Sequence, residues 1–190
     1  MTKNIVLASA SPRRKEILQQ VGISFEVCAS DADETVDNTQ ADYIVMELSA
    51  RKAQAARECY GASDKIFLGA DTIVACEGKI LGKPADEQDA YVMLQMLQGN
   101  RHEVYTGVTL LDGKRQVTFF EVTHVQIRSM TDRQIKQYIA SKEPMDKAGA
   151  YGIQGAFAAY IEGIQGDYYN VVGLPIARVC QELEQWEVCE

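Results

Sequence analysis

Hydroxyl and guanidinium side chains cluster near the start of the chain, where an apolar segment passes through small residues into a helix. Ser9 and Ser11 supply the hydroxyls, and Pro12 suits the first position of a helix. Arg13 and Arg14 follow directly. A helix N-terminus favours anions, whereas two arginines there oppose the helix dipole unless an anion binds with them. We therefore predict a phosphate site, the alternative being a solvated basic first turn.

An acidic residue, Asp71, lies in the middle of the apolar segment 66–76, with Thr72 beside it. A carboxylate in such a strand must be hydrogen-bonded, paired with a cation or bound to a metal. The alternative is a structural ion pair or a turn at the strand end, and the apolar flanks disfavour the turn. Glu34, in the acidic loop 31–35, is a candidate second carboxylate.

Two lysines extend this set. Lys52 occupies an apolar position in a stripe of helical spacing, so its ammonium group either snorkels out along the helix or enters a polar site at the edge of the core. Lys83 follows a predicted hairpin and could be folded back towards Asp71. Snorkelling is the commoner outcome for a lysine on a packing face, and both interpretations of Lys52 stay open.

A glycine-rich segment, 146–155, contains Gln154. Its three glycines permit unusual backbone angles and the close approach of a ligand, although a flexible loop is the plainer interpretation. The two histidines, His102 and His124, lie in separate predicted strands without a suitable acidic or cysteine partner nearby. The remaining carboxylates, lysines and arginines suit a hard cation such as Mg²⁺ together with phosphate.

The elements that must position these residues alternate between helices and strands. Ser11 is expected to cap the first helix and Val21 to belong to its apolar stripe, and Thr39 with Asp42 predicts a capping box on the second. The predicted strands are 5–8, 25–28, 66–76, 79–81, 104–111 and 117–127, and the predicted helices begin near 12, 40, 86, 131 and 176. Because hairpins occur among them, we predict an α/β fold with a mixed twisted sheet flanked by helices. A single compact domain over 1–190 is expected.

Composition limits the class of protein. A chain of 190 residues with 46% apolar residues can bury a substantial core, and its net charge of −8 argues against a nucleic-acid binder. An anionic substrate then needs local basic residues or a bridging divalent cation. No segment is long and apolar enough to span a membrane or to act as a signal peptide. Five cysteines without a C-x-x-C pair indicate reduced thiols, so we expect a cytoplasmic protein.

Five motifs together resemble the Maf family of nucleoside triphosphate pyrophosphatases. They occur in order over nearly the whole chain, at 7–14, 69–72, 81–84, 146–151 and 170–175. The resemblance implies a fold like that of the inosine-triphosphate pyrophosphatases, with a cleft between two lobes, and usually a homodimer. It also implies metal-dependent hydrolysis of a nucleoside triphosphate to the monophosphate and pyrophosphate, with Mg²⁺ or Mn²⁺ as cofactor.

The same resemblance assigns roles to individual residues. Asp71 matches the catalytic carboxylate of the family and, together with Glu34, would hold the metal. Arg13, Thr72 and Gln154 match the positions that separate the substrate subfamilies, and here they resemble the dTTP/UTP group. The residues expected to hold the triphosphate are Ser9, Arg13, Arg14, Lys52 and Lys83.

Two alternative functions are compatible with the sequence. One is a 7-methyl-GTP pyrophosphatase. The cationic base of that substrate would need an aromatic platform and a nearby carboxylate in the protein. The other is a non-catalytic nucleotide- or nucleic-acid-binding regulator of septum formation, a process connected with the family's name. The acidic composition disfavours stable binding of nucleic acid.

Overall fold

The computed structural model describes residues 4–29, 32–61 and 64–186. The strands are β1 (Ile5–Leu7), β2 (Phe25–Val27), β3 (Ile66–Cys76), β4 (Lys79–Leu81), β5 (Arg101–Leu111), β6 (Gln116–Ile127) and β7 (Ile161–Gln165). The helices are α1 (Pro12–Gln20), α2 (Ala41–Tyr60), α3 (Glu87–Leu97), α4 (Asp132–Ala140), α5 (Tyr168–Val172) and α6 (Ile176–Glu184). Short 3₁₀ turns cover Glu143–Asp146, Ala148–Ala150 and Ala156–Tyr160.

The strands form one mixed sheet in the order β2-β1-β3-β5-β6-β7, with β4 paired to β3. β1 runs parallel to both β2 and β3, in registers that pair Ile5 with Phe25 and with Ile66. The pairs β3–β4 and β6–β7 are antiparallel. The predicted α/β fold with a mixed sheet and helices is thus confirmed.

Two compact units divide the chain. The first comprises the described residues of Met1–Asp71, Thr106–Glu121 and Gly173–Glu190, and the second comprises Thr72–Tyr105 and Val122–Val172. The single domain expected over 1–190 stays a prediction. Among the described residues, no helix has both the length and the apolar character needed to cross a membrane.

Close packing of α2 against the sheet organises the first unit. A Cβ on Gly69 of β3 would lie 2.1 Å from the carbonyl oxygen of Ser49, and one on Gly107 of β5 would lie 2.2 Å from that of Val45. Only glycine permits such approach of a strand to a helix backbone. These two glycines bring β3 and β5 directly against α2, next to the residue pair Lys52 and Asp71.

The second unit packs around α3, α4 and a group of aromatic residues. α3 buries Ala90, Met93, Leu94 and Leu97, as its spacing predicts. The ring centroids of Tyr138 and Tyr151 each lie 4.9 Å from that of Phe157. This apolar group lies beside the glycine-rich segment that carries Gln154.

Several local predictions were wrong. α2 begins after Gln40 rather than Thr39, and no side chain caps it; the Asp42 carboxylate instead accepts a hydrogen bond from the amide of Tyr43 at 2.9 Å. Val21, expected in the apolar stripe of α1, is 44% exposed because the helix ends at Gln20.

The N-terminus of α1 is also capped differently from the prediction. Ser11 does occupy the N-cap, but its side chain makes no capping hydrogen bond. Its amide donates to the Ser9 hydroxyl at 3.2 Å. The hydroxyl of Ser9, rather than that of Ser11, therefore organises this turn.

Candidate active site

The turn between β1 and α1 is built around Arg14, which is only 9% exposed. Its Nε donates to the carbonyl oxygen of Gly173 at 2.8 Å, and its Nη1 donates to the Ser9 hydroxyl at 3.0 Å. Burial lowers the pKa of Arg14, the charge of Asp71 opposes that shift, and the charge of Arg13 adds to it. Arg14 thus fixes the turn, and Arg13 lies close enough to repel it electrostatically.

The Lys52 ammonium lies between two carboxylates. Its Nζ is 2.6 Å from Oδ1 of Asp71 and 2.8 Å from Oε1 of Glu34. The side chains of Lys52 and Asp71 are 14% and 11% exposed, whereas that of Glu34 is 64% exposed. Lys52 therefore enters a polar site at the edge of the core, and the snorkelling interpretation was wrong.

The loop that carries Glu34 is held by Arg51, the residue before Lys52. Nη1 of Arg51 donates to the carbonyl oxygens of Asp33 and Thr35, at 3.2 and 2.8 Å, and so binds the backbone on both sides of Glu34. The Asp33 carboxylate accepts from the amide of Thr35 at 2.9 Å, and this hydrogen bond lowers the pKa of Asp33. One turn of α2 thus supplies both Lys52 and the support for Glu34.

Three of the predicted site residues belong to the second unit. Thr72 is half-buried at the position after Asp71 in β3, and Lys83 and Gln154 are exposed. Their convergence with Ser9, Arg13 and Arg14 on one substrate stays a prediction.

Comparison with known proteins identifies the family. A family model described as "Maf-like protein" matches residues 4–186 of the chain. The chain belongs to this Maf-like family. The resemblance inferred from the five motifs is thereby confirmed.

Named relatives of this Maf-like chain include two bacterial proteins that are each called dTTP/UTP pyrophosphatase. The one from Bacillus cereus strain G9842 is 51% identical over 188 residues, which span 98% of this chain and 97% of the relative. The one from Lachnoclostridium phytofermentans is 52% identical over 189 residues, spanning 97% of this chain and 95% of the relative.

Solved structures resemble the Maf-like chain more distantly. The Staphylococcus aureus Ham1 protein aligns with a TM-score of 0.46 at 15% identity, covering 66% of this chain and 72% of its own. A nucleoside-triphosphatase described as a dITP/XTP pyrophosphatase, from Mycobacterium abscessus, aligns with a TM-score of 0.44 at 15% identity, covering 82% and 93%. Both scores are too low to carry a conclusion about this chain.

The donor chemistry of the Maf-like site suits a hard divalent cation. Asp71 and Glu34 already share one cationic group, the Lys52 ammonium, and both offer carboxylate oxygens. No group of three or more His, Cys, Asp or Glu suitable for a metal occurs within 4–29, 32–61 and 64–186. Mg²⁺ is commonly bound through one or two carboxylates, with waters and substrate phosphates as the other ligands. The two carboxylates fit that pattern.

Sequence reasoning missed the role of Arg51. Its carbonyl contacts join residues 16 and 18 positions apart, and no local pattern marks them. The only sequence signal is the i, i+4 pair with Glu47, whose carboxylate accepts from Nε at 2.8 Å. That pair is typical of any solvated helix face.

Proposed function

We propose that this chain is a nucleoside triphosphate pyrophosphatase that cleaves the bond between the α- and β-phosphates of dTTP and UTP. The products are the nucleoside monophosphate and pyrophosphate. The observation that carries the proposal is the group of Lys52, Asp71 and Glu34, beside the buried Arg14, whose pKa responds to both carboxylates. The dTTP/UTP pyrophosphatases at about half identity support the same activity. The protein would act in the cytoplasm, as a homodimer.

The proposed site residues have separate tasks in this reaction. Ser9, Arg13, Arg14, Lys52 and Lys83 bind the triphosphate oxygens, and modified pyrimidine triphosphates would bind in the same way. Asp71 acts through its negative charge, as the base that accepts a proton from the attacking water or as a ligand of the cation. The water oxygen bonds to the α-phosphorus as the bond between that phosphorus and the bridging oxygen breaks, and the bridging oxygen departs with pyrophosphate. A divalent cation such as Mg²⁺ or Mn²⁺, held by Asp71 and Glu34, would neutralise charge on the phosphates.

Base selection is assigned to Gln154, supported by Thr72. Uracil and thymine present an N3–H donor beside the O4 acceptor, and one side-chain amide can bind both. Cytosine presents the reverse pattern, so discrimination requires that the orientation of the Gln154 amide is fixed. Adenine also pairs well with glutamine amides, and its exclusion would depend on pocket size.

The test is a comparison of kcat/KM for dTTP, UTP, CTP, ATP, GTP and 7-methyl-GTP, with pyrophosphate release as the readout. A site that hydrogen-bonds one base rejects a mismatched base by about a hundredfold or more, once substrate covers its polar groups. We expect dTTP and UTP to exceed the other four by that factor, and chelation of divalent cations to abolish turnover. A best rate with either guanine nucleotide would contradict the proposed base preference. A chain that binds dTTP without turnover would instead be a regulator, and the enzymatic proposal would fail.

A further inference from the structure

The segment that carries Gln154 is held by a carboxylate with no assigned task. Glu143 begins a 3₁₀ turn shortly after α4. Its Oε2 accepts from the amide of Ala156 at 3.0 Å, and its Oε1 accepts from the Tyr138 hydroxyl at 3.0 Å. That hydroxyl in turn accepts from the amide of Gly152 at 3.3 Å. Two side chains therefore bind the backbone on both sides of Gln154.

Two glycines show how closely this segment lies against the turn. A Cβ on Gly155 would be 2.0 Å from Oε1 of Glu143. One on Gly152 would be 2.7 Å from Cε of Lys147, whose Nζ donates to the carbonyl oxygen of Glu143 at 2.6 Å. The Glu143 carboxylate occupies the space that a side chain would take at Gly155, and the Lys147 stem occupies it at Gly152. A larger residue at either position would displace one of these two side chains.

Tyr138 is suited to support the carboxylate. It is 4% exposed, and its ring centroid lies 4.9 Å from that of Phe157. Burial first, and then the charge of Glu143, raise the pKa of Tyr138, so its hydroxyl stays protonated and donates to Glu143. The pair forms a rigid link between the end of α4 and the backbone at Gly152 and Ala156.

We propose that Glu143 is a positioning residue for base selection, which sets the orientation of Gln154 by fixing the backbone from Gly152 to Ala156. This inference rests on the proposed function and gives its specificity a structural cause. Gln154 is exposed, so the backbone beneath it sets the position from which its side chain reaches a base. The two carboxylate oxygens accept from two separate donors, the Tyr138 hydroxyl and the Ala156 amide. A glutamine at position 143 has one acceptor oxygen and no charge, and it could keep both contacts only if the Tyr138 hydroxyl accepted from it instead of donating.

The decisive variant is Glu143→Gln, which keeps the shape and removes one acceptor. We expect the ratio of kcat/KM for dTTP to that for CTP to fall by about tenfold or more, since small displacements of positioning groups cost up to about a hundredfold. The loss should appear mainly in KM for dTTP, and CTP should change little. The matched control is Glu162→Gln, an exposed glutamate in the same unit, which should leave the ratio unchanged.

Tyr138→Phe keeps the aromatic packing and removes the bridging hydroxyl, so it tests the same link if Glu143→Gln does not fold. It should lower the dTTP/CTP ratio as well, and the two losses should not add in the double variant because both act on one segment. A merely structural role would lower the melting temperature and leave the ratio at the parent value. That result in either folded variant overturns this inference while the parent still hydrolyses dTTP. A parent chain without dTTP turnover overturns the proposed function and this inference together.

Discussion

Replacing Lys52 by methionine tests two roles of its ammonium group, the pairing with Asp71 and the proposed binding of substrate phosphate. Methionine keeps most of the unbranched, apolar stem and removes the charge. In the parent, Nζ lies 2.6 Å from Oδ1 of Asp71, whose side chain is 11% exposed. Lys52→Met therefore leaves a nearly buried carboxylate without the ammonium group that pairs with it, while the Arg14 guanidinium, whose pKa responds to Asp71, stays in place.

The loss of folding stability in Lys52→Met can be worked out from the distance between Nζ of Lys52 and Oδ1 of Asp71. At an effective dielectric constant of about 20, unit charges 2.6 Å apart attract by about 6 kcal/mol. Desolvation offsets part of this, and removal of one partner from a fully buried pair costs about 3–5 kcal/mol. Since both side chains keep some exposure and Arg14 remains nearby, we expect a loss of about 2–3 kcal/mol. For a chain of this length, that lowers Tm by about 4–12 °C.

Thermal melts and steady-state kinetics on the same samples check this expectation. Lys52→Met should lower both Tm and kcat/KM for dTTP, and the double variant Lys52→Met with Asp71→Asn should recover most of the Tm while staying inactive. The recovery arises because the second change removes the unpaired charge. An unchanged Tm and unchanged activity in Lys52→Met would refute the reasoning, since a snorkelling lysine would give that result.

Three further outcomes are expected. Asp71→Asn should lower kcat by about a thousandfold or more with the fold retained, as judged by pyrophosphate release and circular dichroism; near-normal turnover would remove Asp71 from the mechanism. Arg51→Met should raise the Mg²⁺ concentration for half-maximal activity by about tenfold, because the Glu34 loop loses its support, and an unchanged Mg²⁺ titration would contradict this. Burial lowers the pKa of His102 to about 4 from 6.5, so the unfolded chain binds the extra proton between those values and stability falls as pH drops from 6.5 towards 4. The resulting loss in the free energy of unfolding approaches about 3 kcal/mol. Urea titrations of the parent and of His102→Gln at pH 7 and 4.5 should show that the stability of the variant depends less on pH.

Elements with strong local signals were predictable from the sequence. The turn at Glu77 and Gly78 has φ of 51° and 74°, which suits the two-residue hairpin that was predicted there. The capping box of Thr131 and Gln134 is present at the start of α4, and the Asp86 side chain caps α3 by accepting from the amide of Asp89. In each case the physical cause lies within four residues, so the sequence window contains it.

The start of α2 shows where local rules fail. Thr39 and Asp42 match the capping-box pattern, but the helix begins at Ala41 without any side-chain cap. Its position depends instead on packing, because Gly69 and Gly107 allow the strands to meet its backbone. Tertiary contacts of this kind override the preferences of individual helix ends.

The candidate site was predictable in its residue types and not in its pairings. The stripe on α2 shows that Lys52 is unusual, but its two partners come from a distant strand and from a loop held by Arg51. Glu143 carried no signal at all, because its contacts are with a hydroxyl and a backbone amide. Long-range contacts to backbone atoms leave no periodic trace in a sequence.

The charges of the first unit also constrain how the proposed substrate binds. Among the proposed site residues of that unit, Arg13, Arg14 and Lys52 give three positive charges and Asp71 and Glu34 give two negative ones, which leaves 3 − 2 = +1 in a chain of net charge −8. One surplus charge is too little to attract a triphosphate, which carries several negative charges. Under the proposed function, affinity should therefore rise with the divalent-cation concentration. In the proposed site, the carboxylates of Asp71 and Glu34 neutralise most of the positive charge that could bind a nucleotide. The KM should therefore respond more steeply to Mg²⁺ than to the ionic strength set by monovalent salt.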